Sequence, residues 1–173
     1  MRILIDEDRI RSRVGELATR IEADYAGKPL TIVAVLTGSL ILLADLMRRI
    51  HLPLRVALLQ ASSYRGATTT AGSLVLNTSF LPSVEGRDVL LLDDILDTGR
   101  TLVELVDHIN DRGANSVRTA VLLRKRGRQV VAIEPDYVGF EIPDAFVVGY
   151  GLDFNDDHRH LPYIAVLEET TDA

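Results

Sequence analysis

The chain has 173 residues, of which 47% are hydrophobic and 25% are charged, and its formal net charge is -6. This length fits a single domain with a substantial core, and the acidic balance argues against non-specific nucleic-acid binding. The absence of cysteine excludes disulfides, thiolate metal sites and cysteine nucleophiles. Because there is no membrane-length apolar run and no secretory leader pattern, we expect a cytoplasmic protein with no membrane partner.

Helical and strand-like patterns alternate along most of the chain. They predict helices over 10–25, 40–50 and 100–112. They predict strands over 30–36, 54–59, 88–96 and 117–123, with a turn at 37–39 between the first strand and the second helix. Shorter strand-like pieces follow over 130–133, 137–140, 146–150 and 163–167. The alternation predicts an α/β fold with a parallel sheet flanked by helices, and the late short strands indicate an added flap.

One polar segment interrupts this order. Residues 61–72, ASSYRGATTTAG, hold small and polar side chains with little hydrophobic periodicity. A slack hairpin connection is one interpretation of this composition. Connections of this length are uncommon unless they are functional or disordered. This favours the interpretation that the segment is a mobile lid that closes on a binding site.

The clearest chemical signal is the segment Val89–Leu102, VLLLDDILDTGRTL. A buried strand delivers its carboxyl end to a loop and then to a helix, which is where open α/β sheets bind ligands. The loop 97–101 offers backbone N–H groups, hydroxyls and a glycine at the start of a helix, a combination that binds phosphate. Neither a Walker loop nor a G-x-G-x-x-G pattern occurs in the chain.

Two adjacent acids, Asp93 and Asp94, end the apolar run of this strand. Neighbouring strand residues point to opposite faces, so two carboxylates in a strand interior would be costly to bury. At the end of a strand both can turn towards a ligand, and a vicinal pair of acceptors suits the two hydroxyls of a ribose. A charge cluster that favours the helix dipole is the alternative, and it explains Asp97 better than it explains the pair.

The segment resembles the phosphoribosyl-pyrophosphate signature of type I phosphoribosyltransferases, and the chain is most similar to the hypoxanthine-guanine phosphoribosyltransferases. The similarity extends through LTGSLILLADLMRRI, the pair Ser63-Tyr64 and DYVGFEIPDAFVVGYGLDFNDDHRHLPYIAVL. It implies the type I phosphoribosyltransferase fold over residues 1–173, with a core at about 28–128. A small hood over the base would come from about 1–8 and 129–173.

The resemblance also implies an activity, a cofactor and an oligomeric state. The activity is purine salvage: transfer of 5-phosphoribosyl from phosphoribosyl pyrophosphate to hypoxanthine or guanine, giving IMP or GMP and pyrophosphate. Mg²⁺ is the implied cofactor, with Asp93, Asp94 and Asp153 near the metal. Members of the family are homodimers or homotetramers, and they carry a non-proline cis peptide within the loop 36–39.

Roles for individual residues follow from the same resemblance. Asp97 is implied as the general base, Ser63 and Tyr64 belong to the lid, and Asp153 lies near the purine and the metal. The donor is implied to bind through its ribose to Asp93 and Asp94, through its 5′-phosphate to Asp97, Thr98, Gly99, Arg100 and Thr101, and through its pyrophosphate to Thr37, Gly38, Ser39 and Arg159. The purine is implied to contact Lys125 at its 6-oxo group, the ring of Phe146 and the backbone of Val147.

Three points leave the interpretation open. Family members often carry Lys where this chain has Thr37, so a point charge for pyrophosphate is missing. Lys125 lies in the charge run RKRGR, which is typical of a solvated turn, and a phenylalanine such as Phe146 is more often part of a core. A donor-binding regulator of the same fold and a xanthine-preferring enzyme remain alternatives.

Overall fold

A computed structural model describes residues 1–63 and 74–167 of the protein. The elements in chain order are β1 (Arg2–Ile5), α1 (Glu7–Asp24), β2 (Leu30–Leu36), α2 (Leu40–Met47), β3 (Leu54–Ser63), β4 (Leu74–Asn77), β5 (Asp88–Leu96), α3 (Arg100–Asp111), β6 (Ser116–Lys125), β7 (Tyr137–Ile142), β8 (Val147–Val148) and β9 (Ile164–Val166). None of the helices in this part of the chain combines the length and the hydrophobicity that crossing a bilayer requires.

The larger sheet has the order β4-β3-β2-β5-β6-β7. Strands β3, β2, β5, β6 and β7 are parallel, and β4 at the edge runs antiparallel to β3. Strand β2 at 30–36 and strand β5 at 88–96 begin and end at the predicted residues. The prediction of an α/β fold with a parallel sheet flanked by helices is confirmed.

Each face of this sheet is covered by helices. Side chains alternate along β2, so that Ile32 packs in one buried cluster with α1 and α2, whereas Val33 packs in the other with α3. The same alternation separates Leu90 from Leu91 in β5. Burial on both faces explains why these strands read as continuous apolar runs.

Helix α1 begins before its predicted apolar stripe. The side chain of Asp6 accepts a hydrogen bond from the backbone N–H of Arg9 at 2.9 Å, which caps the first turn. The predicted stripe from Ile10 to Tyr25 is buried against the sheet, and Gly27 then takes a left-handed conformation with φ 73°. The cap and the stripe together orient this helix along the sheet.

A second sheet of three strands, in the order β1-β9-β8, joins the two ends of the described chain. Arg2 pairs with Val166, and Val147 pairs with the same residue from the other side. This small sheet corresponds to the hood. The division of the chain into domains stays a prediction.

Residues 137–140 form a strand as predicted, within β7, but this strand does not belong to an added flap, because it pairs in parallel with β6 in the large sheet. Residues 130–133 form no strand. Instead the backbone N–H groups of Val130 and Val131 donate to the carbonyl of Thr98, at 3.0 and 3.4 Å. This segment therefore supports the loop that follows β5.

Candidate active site

The carboxyl ends of β2 and β5 open onto a cleft of about 320 Å³. The cleft is lined by the loop after β2, by residues 93–99 and by two residues of the hood region, Asp153 and Arg159. This position, outside the carboxyl ends of parallel strands, is the usual ligand site of open α/β sheets. Most of the predicted donor-binding residues line it, but Ser39 and Arg100 do not.

Asp93 and Asp94 lie side by side within β5. The backbone N–H of Asp94 donates to Asp93 Oδ1 at 2.9 Å. Burial raises the pKa of Asp93 well above its ordinary value, and the neighbouring Asp94 charge raises it further. Burial also raises the pKa of Asp94, and the hydrogen bond to Asp93 and the Arg159 charge oppose that rise. The charge of the two carboxylates is therefore incompletely compensated by the protein. Such a pair suits a cation or a pair of hydroxyl donors.

The loop after β5 turns at Gly99, whose φ is 86° and which stands at the N-cap of α3. A side chain here would be strained, and its Cβ would lie 3.0 Å from methyl groups of Val131 and Ile133. Gly99 offers no capping side chain, and the backbone N–H of Arg100 donates only a long bond of 3.5 Å to Thr98 Oγ1, so the first turn of the twelve-residue helix can donate to an anion. Both the conformation and the packing require glycine at this position.

The loop after β2 approaches Asp94 closely. Its Leu36–Thr37 peptide is cis, as the resemblance implied. A Cβ placed on Gly38 would lie 1.6 Å from Asp94 Oδ2, so only a glycine fits beneath that carboxylate. The hydroxyl of Ser39 is buried and donates to the carbonyl of Val35 at 2.5 Å. Any contact of Ser39 with pyrophosphate would therefore use its backbone.

Arg159 is held in place by the chain segment around Gly151. Its Nη1 donates to the Gly151 carbonyl at 2.8 Å, and its Nη2 lies 2.9 Å from Asp153 Oδ1. A Cβ on Gly151 would lie 2.1 Å from the carbonyl oxygen of Gly38. The hood region and the loop after β2 thus touch through two glycines, which brings Arg159 to the cleft.

A second pocket of about 250 Å³ adjoins the cleft and shares Asp94, Ile95, Asp97 and Asp153 with it. The residues that line only this second pocket include Lys125, Phe146 and Val147, which are the predicted purine contacts. The structure therefore brings the predicted base contacts to the wall of the predicted donor site.

Sequence context alone suggested a solvated turn for Lys125 and a core position for Phe146, and the structure shows neither. The Lys125 side chain is 13% exposed at the end of β6, and its Nζ lies 3.7 Å from Asp97 Oδ2 and from Asp144 Oδ1. It is not a solvated turn residue. Phe146 is 52% exposed, and its ring meets Phe154 edge to face with centroids 5.6 Å apart. A phenylalanine this exposed is not part of the core and offers a face for stacking.

Two residues of this site were missed by sequence reasoning. Arg128 Nε lies 2.9 Å from Asp97 Oδ1, and Asp144 lies 3.6 Å from the same Arg128 nitrogen. Arg128 belongs to the run RKRGR, whose spacing gives no indication of which arginine turns back towards β5.

In the lid prediction, Tyr64 and residues 65–72 lie outside the described residues, and Ser63 ends β3.

Fold and site together define a phosphoribosyltransferase, and the family model of the phosphoribosyl transferase domain matches residues 4–155. A hypoxanthine-guanine phosphoribosyltransferase of Dictyostelium discoideum is 41% identical over 171 residues, covering 96% of this chain and 95% of that protein. A crystal structure of a hypoxanthine phosphoribosyltransferase from Staphylococcus aureus matches with a TM-score of 0.91 at 40% identity, covering 97% of this chain and 91% of that one. The chain belongs to the phosphoribosyltransferase family, among the hypoxanthine-guanine phosphoribosyltransferases.

A further relative is a longer protein. The bifunctional protein TilS/HprT of Listeria innocua is 44% identical over 167 residues, which cover 96% of this chain. The chain spans only 26% of the length of that relative.

Proposed function

We propose that this chain transfers the 5-phosphoribosyl group of phosphoribosyl pyrophosphate to hypoxanthine or guanine, forming IMP or GMP and pyrophosphate. The observation that carries the proposal is the pair of adjoining pockets, which share Asp94 and Asp97. One pocket has the loops suited to phosphate and ribose, and the other has an ammonium and an aromatic ring suited to a 6-oxopurine. Because the pockets share walls, a donor and a base bound in them would lie against each other.

In the donor pocket we assign each group of residues a part of phosphoribosyl pyrophosphate. The half-buried pair Asp93 and Asp94 accepts hydrogen bonds from the ribose hydroxyls, and residues 97–101 bind the 5′-phosphate at the start of α3. The backbone of residues 37–39 binds the pyrophosphate, and the guanidinium of Arg159 neutralises the charge that develops on it as it leaves. These assignments are supported by position and charge.

In the base pocket we assign the recognition of a 6-oxopurine to three residues. Lys125 donates to the 6-oxo group, the exposed ring of Phe146 stacks on the purine, and the backbone of Val147 contacts the edge of the base. Asp97 lies between the two pockets and accepts the proton from N7 as N9 of the purine bonds to C1 of the ribose and the bond from C1 to pyrophosphate breaks. Exclusion of water strengthens each of these polar contacts.

Mg²⁺ fits the donor pocket but would take few ligands from the protein. Within residues 1–63 and 74–167, no group of three acidic or histidine side chains is arranged to hold a metal ion. Mg²⁺ usually binds one or two carboxylates and fills its shell with water and phosphate oxygens. We therefore propose that Asp93, Asp94 or Asp153 contributes, together with the donor. Bound there, Mg²⁺ would neutralise charge on the pyrophosphate.

We also propose that the chain acts in the cytoplasm as a homodimer or homotetramer. Three apolar side chains of α2, those of Leu40, Ile41 and Met47, are exposed and give a surface for a second copy. Light scattering of the purified chain tests this part of the proposal, and a monomer at micromolar concentration would contradict it.

Product formation from phosphoribosyl pyrophosphate and each purine, with and without Mg²⁺, tests the proposed reaction. We expect Mg²⁺-dependent formation of IMP and GMP, with adenine a poor acceptor. Tight donor binding without turnover on any purine would indicate a regulator of the same fold. Turnover that favours xanthine would indicate the xanthine-preferring alternative.

Replacement of Lys125 tests how the base is chosen. We expect Lys125→Ala to reduce kcat/KM for hypoxanthine far more than for adenine. A buried ammonium suits a carbonyl but leaves a donor facing the amino group of adenine, and such sites discriminate by up to ~10⁴-fold. The measurement is the ratio of kcat/KM for the two bases.

Lys28→Ala is the matched control for this variant, because Lys28 lines neither pocket and donates to the Asp24 carbonyl. It should leave the ratio unchanged. An unchanged ratio in Lys125→Ala as well would place discrimination on the backbone around Val147.

A further inference from the structure

Asp97 belongs to a cluster of four charges that we call the 97–144 cluster, made of Asp97, Lys125, Arg128 and Asp144. Arg128 Nε lies 2.9 Å from Asp97 Oδ1, whereas Lys125 Nζ lies 3.7 Å from Asp97 Oδ2. Each cation also approaches Asp144 Oδ1, at 3.6 and 3.7 Å. Each oxygen of the Asp97 carboxylate thus lies next to a different cation.

The local chain path explains why Arg128 reaches Asp97. Strand β6 ends at Lys125, and Gly127 then takes a left-handed conformation with φ 71° that reverses the chain. Arg126 lies on the other side of this turn and pairs with Glu141 at 3.2 Å, outside both pockets. Of these two neighbouring arginines, only Arg128 turns back to the end of β5.

The bond between Arg128 and Asp97 is a poor source of stability. The two side chains are 46% and 37% exposed, and ion pairs with this much solvent contact contribute little to folding. Its geometry, however, restricts a carboxylate that lines both pockets. Lys125 lines the base pocket and lies next to Asp97 Oδ2. The Asp97 oxygen that Arg128 does not bind is therefore the one nearer to the base pocket.

We propose that Arg128 is a positioning residue for Asp97, a role that rests on the reaction proposed above. By binding Oδ1, Arg128 turns Oδ2 towards N7 of the purine. It also keeps a positive charge beside Asp97 when Lys125 turns to the 6-oxo group of the base. Arg128 acts only through Asp97 and does not touch the substrate.

The first test compares two arginine variants of the same turn. We expect Arg128→Ala to lower kcat by about 10- to 100-fold, because a displaced catalytic group costs up to about that much. The KM for the donor should stay within about twofold, since Arg128 does not line the donor cleft. Arg126→Ala should match the wild-type chain. Arg128→Lys should recover only part of kcat, because an ammonium keeps the charge and loses the directed Nε–H.

The second test is a double-mutant cycle with Asp97→Asn. If Arg128 acts through Asp97, Arg128→Ala should change kcat by less than about twofold in the Asp97→Asn background. Thermal unfolding of each variant separates a positioning effect from loss of structure, and we expect the melting temperatures to agree.

Three results would overturn the assignment. A wild-type kcat in Arg128→Ala, or a higher one, means that Arg128 does not position Asp97. Equal losses in both backgrounds mean that it acts independently of Asp97. Absence of product with the wild-type chain contradicts the proposed reaction itself, and the two failures are thereby distinguished.

Discussion

Asp97→Asn should lower kcat by about 10²- to 10⁴-fold, the usual range for loss of a general base. The amide preserves the shape of the side chain where it borders both pockets, but it cannot take the proton from N7. Donor binding should persist, because the ribose contacts come from Asp93 and Asp94 and the substitution leaves the backbone of residues 97–101 in place for the 5′-phosphate. The measurement is kcat with hypoxanthine together with donor affinity by calorimetry.

Asp144→Asn is the matched control for this variant. Asp144 approaches the same Lys125 and Arg128 nitrogens as Asp97 does, but it lines neither pocket. Because exposed ion pairs contribute little, we expect kcat within about fivefold of the wild-type value. Near-wild-type turnover in Asp97→Asn would mean that Asp97 serves only the charge cluster and the start of α3.

Gly38→Ala should lower kcat/KM for the donor by ~10²-fold or more. The added Cβ would lie 1.6 Å from Asp94 Oδ2 and 2.5 Å from its Cγ, so the carboxylate has to move by more than an ångström. Misplacement on that scale costs about 10²-fold when it disturbs a reacting geometry. The loop has little room to retreat, because the carbonyl of Gly38 lies against Gly151.

Thr37→Ala is the control in the same loop. The side chain of Thr37 is exposed, and pyrophosphate is proposed to bind the backbone, so we expect only the loss of one hydroxyl contact. That loss corresponds to roughly a two- to thirteenfold change. Pyrophosphate inhibition at fixed Mg²⁺ and thermal melting should be measured for both variants. If Thr37→Ala is the more damaging, the backbone account of this loop is wrong.

The central strands could be predicted from the sequence because burial on both faces makes each of them a continuous apolar run, which is a local property of the chain. Strand β5 at 88–96 is an apolar run followed by acids, and its bounds agree with the prediction. The same segment predicted a phosphate loop, and the structure places residues 97–99 in the cleft at the start of α3. Local pattern sufficed there because strand, loop and helix are consecutive.

The late strands could not be assigned from local pattern. Residues 137–140 and 163–167 are similar short apolar runs, yet the first extends the large sheet as β7 and the second contributes β9 to the small one. Residues 130–133 are also β-like in composition, but the N–H groups of Val130 and Val131 donate to the Thr98 carbonyl instead of to a neighbouring strand. Strand pairing is a long-range contact, so composition alone does not select the partner.

The sequence by itself determined the α/β class, the family and the residue types at the site, because apolar periodicity and contiguous motifs are local properties of the chain. Only the tertiary structure decided which charges meet. Lys125, Arg126 and Arg128 are close in sequence, but the strand end and the left-handed Gly127 send two of them to Asp97 and the third to Glu141. The requirement for glycine at position 38 likewise arises from Asp94, a residue distant in sequence whose carboxylate lies where a Cβ would be.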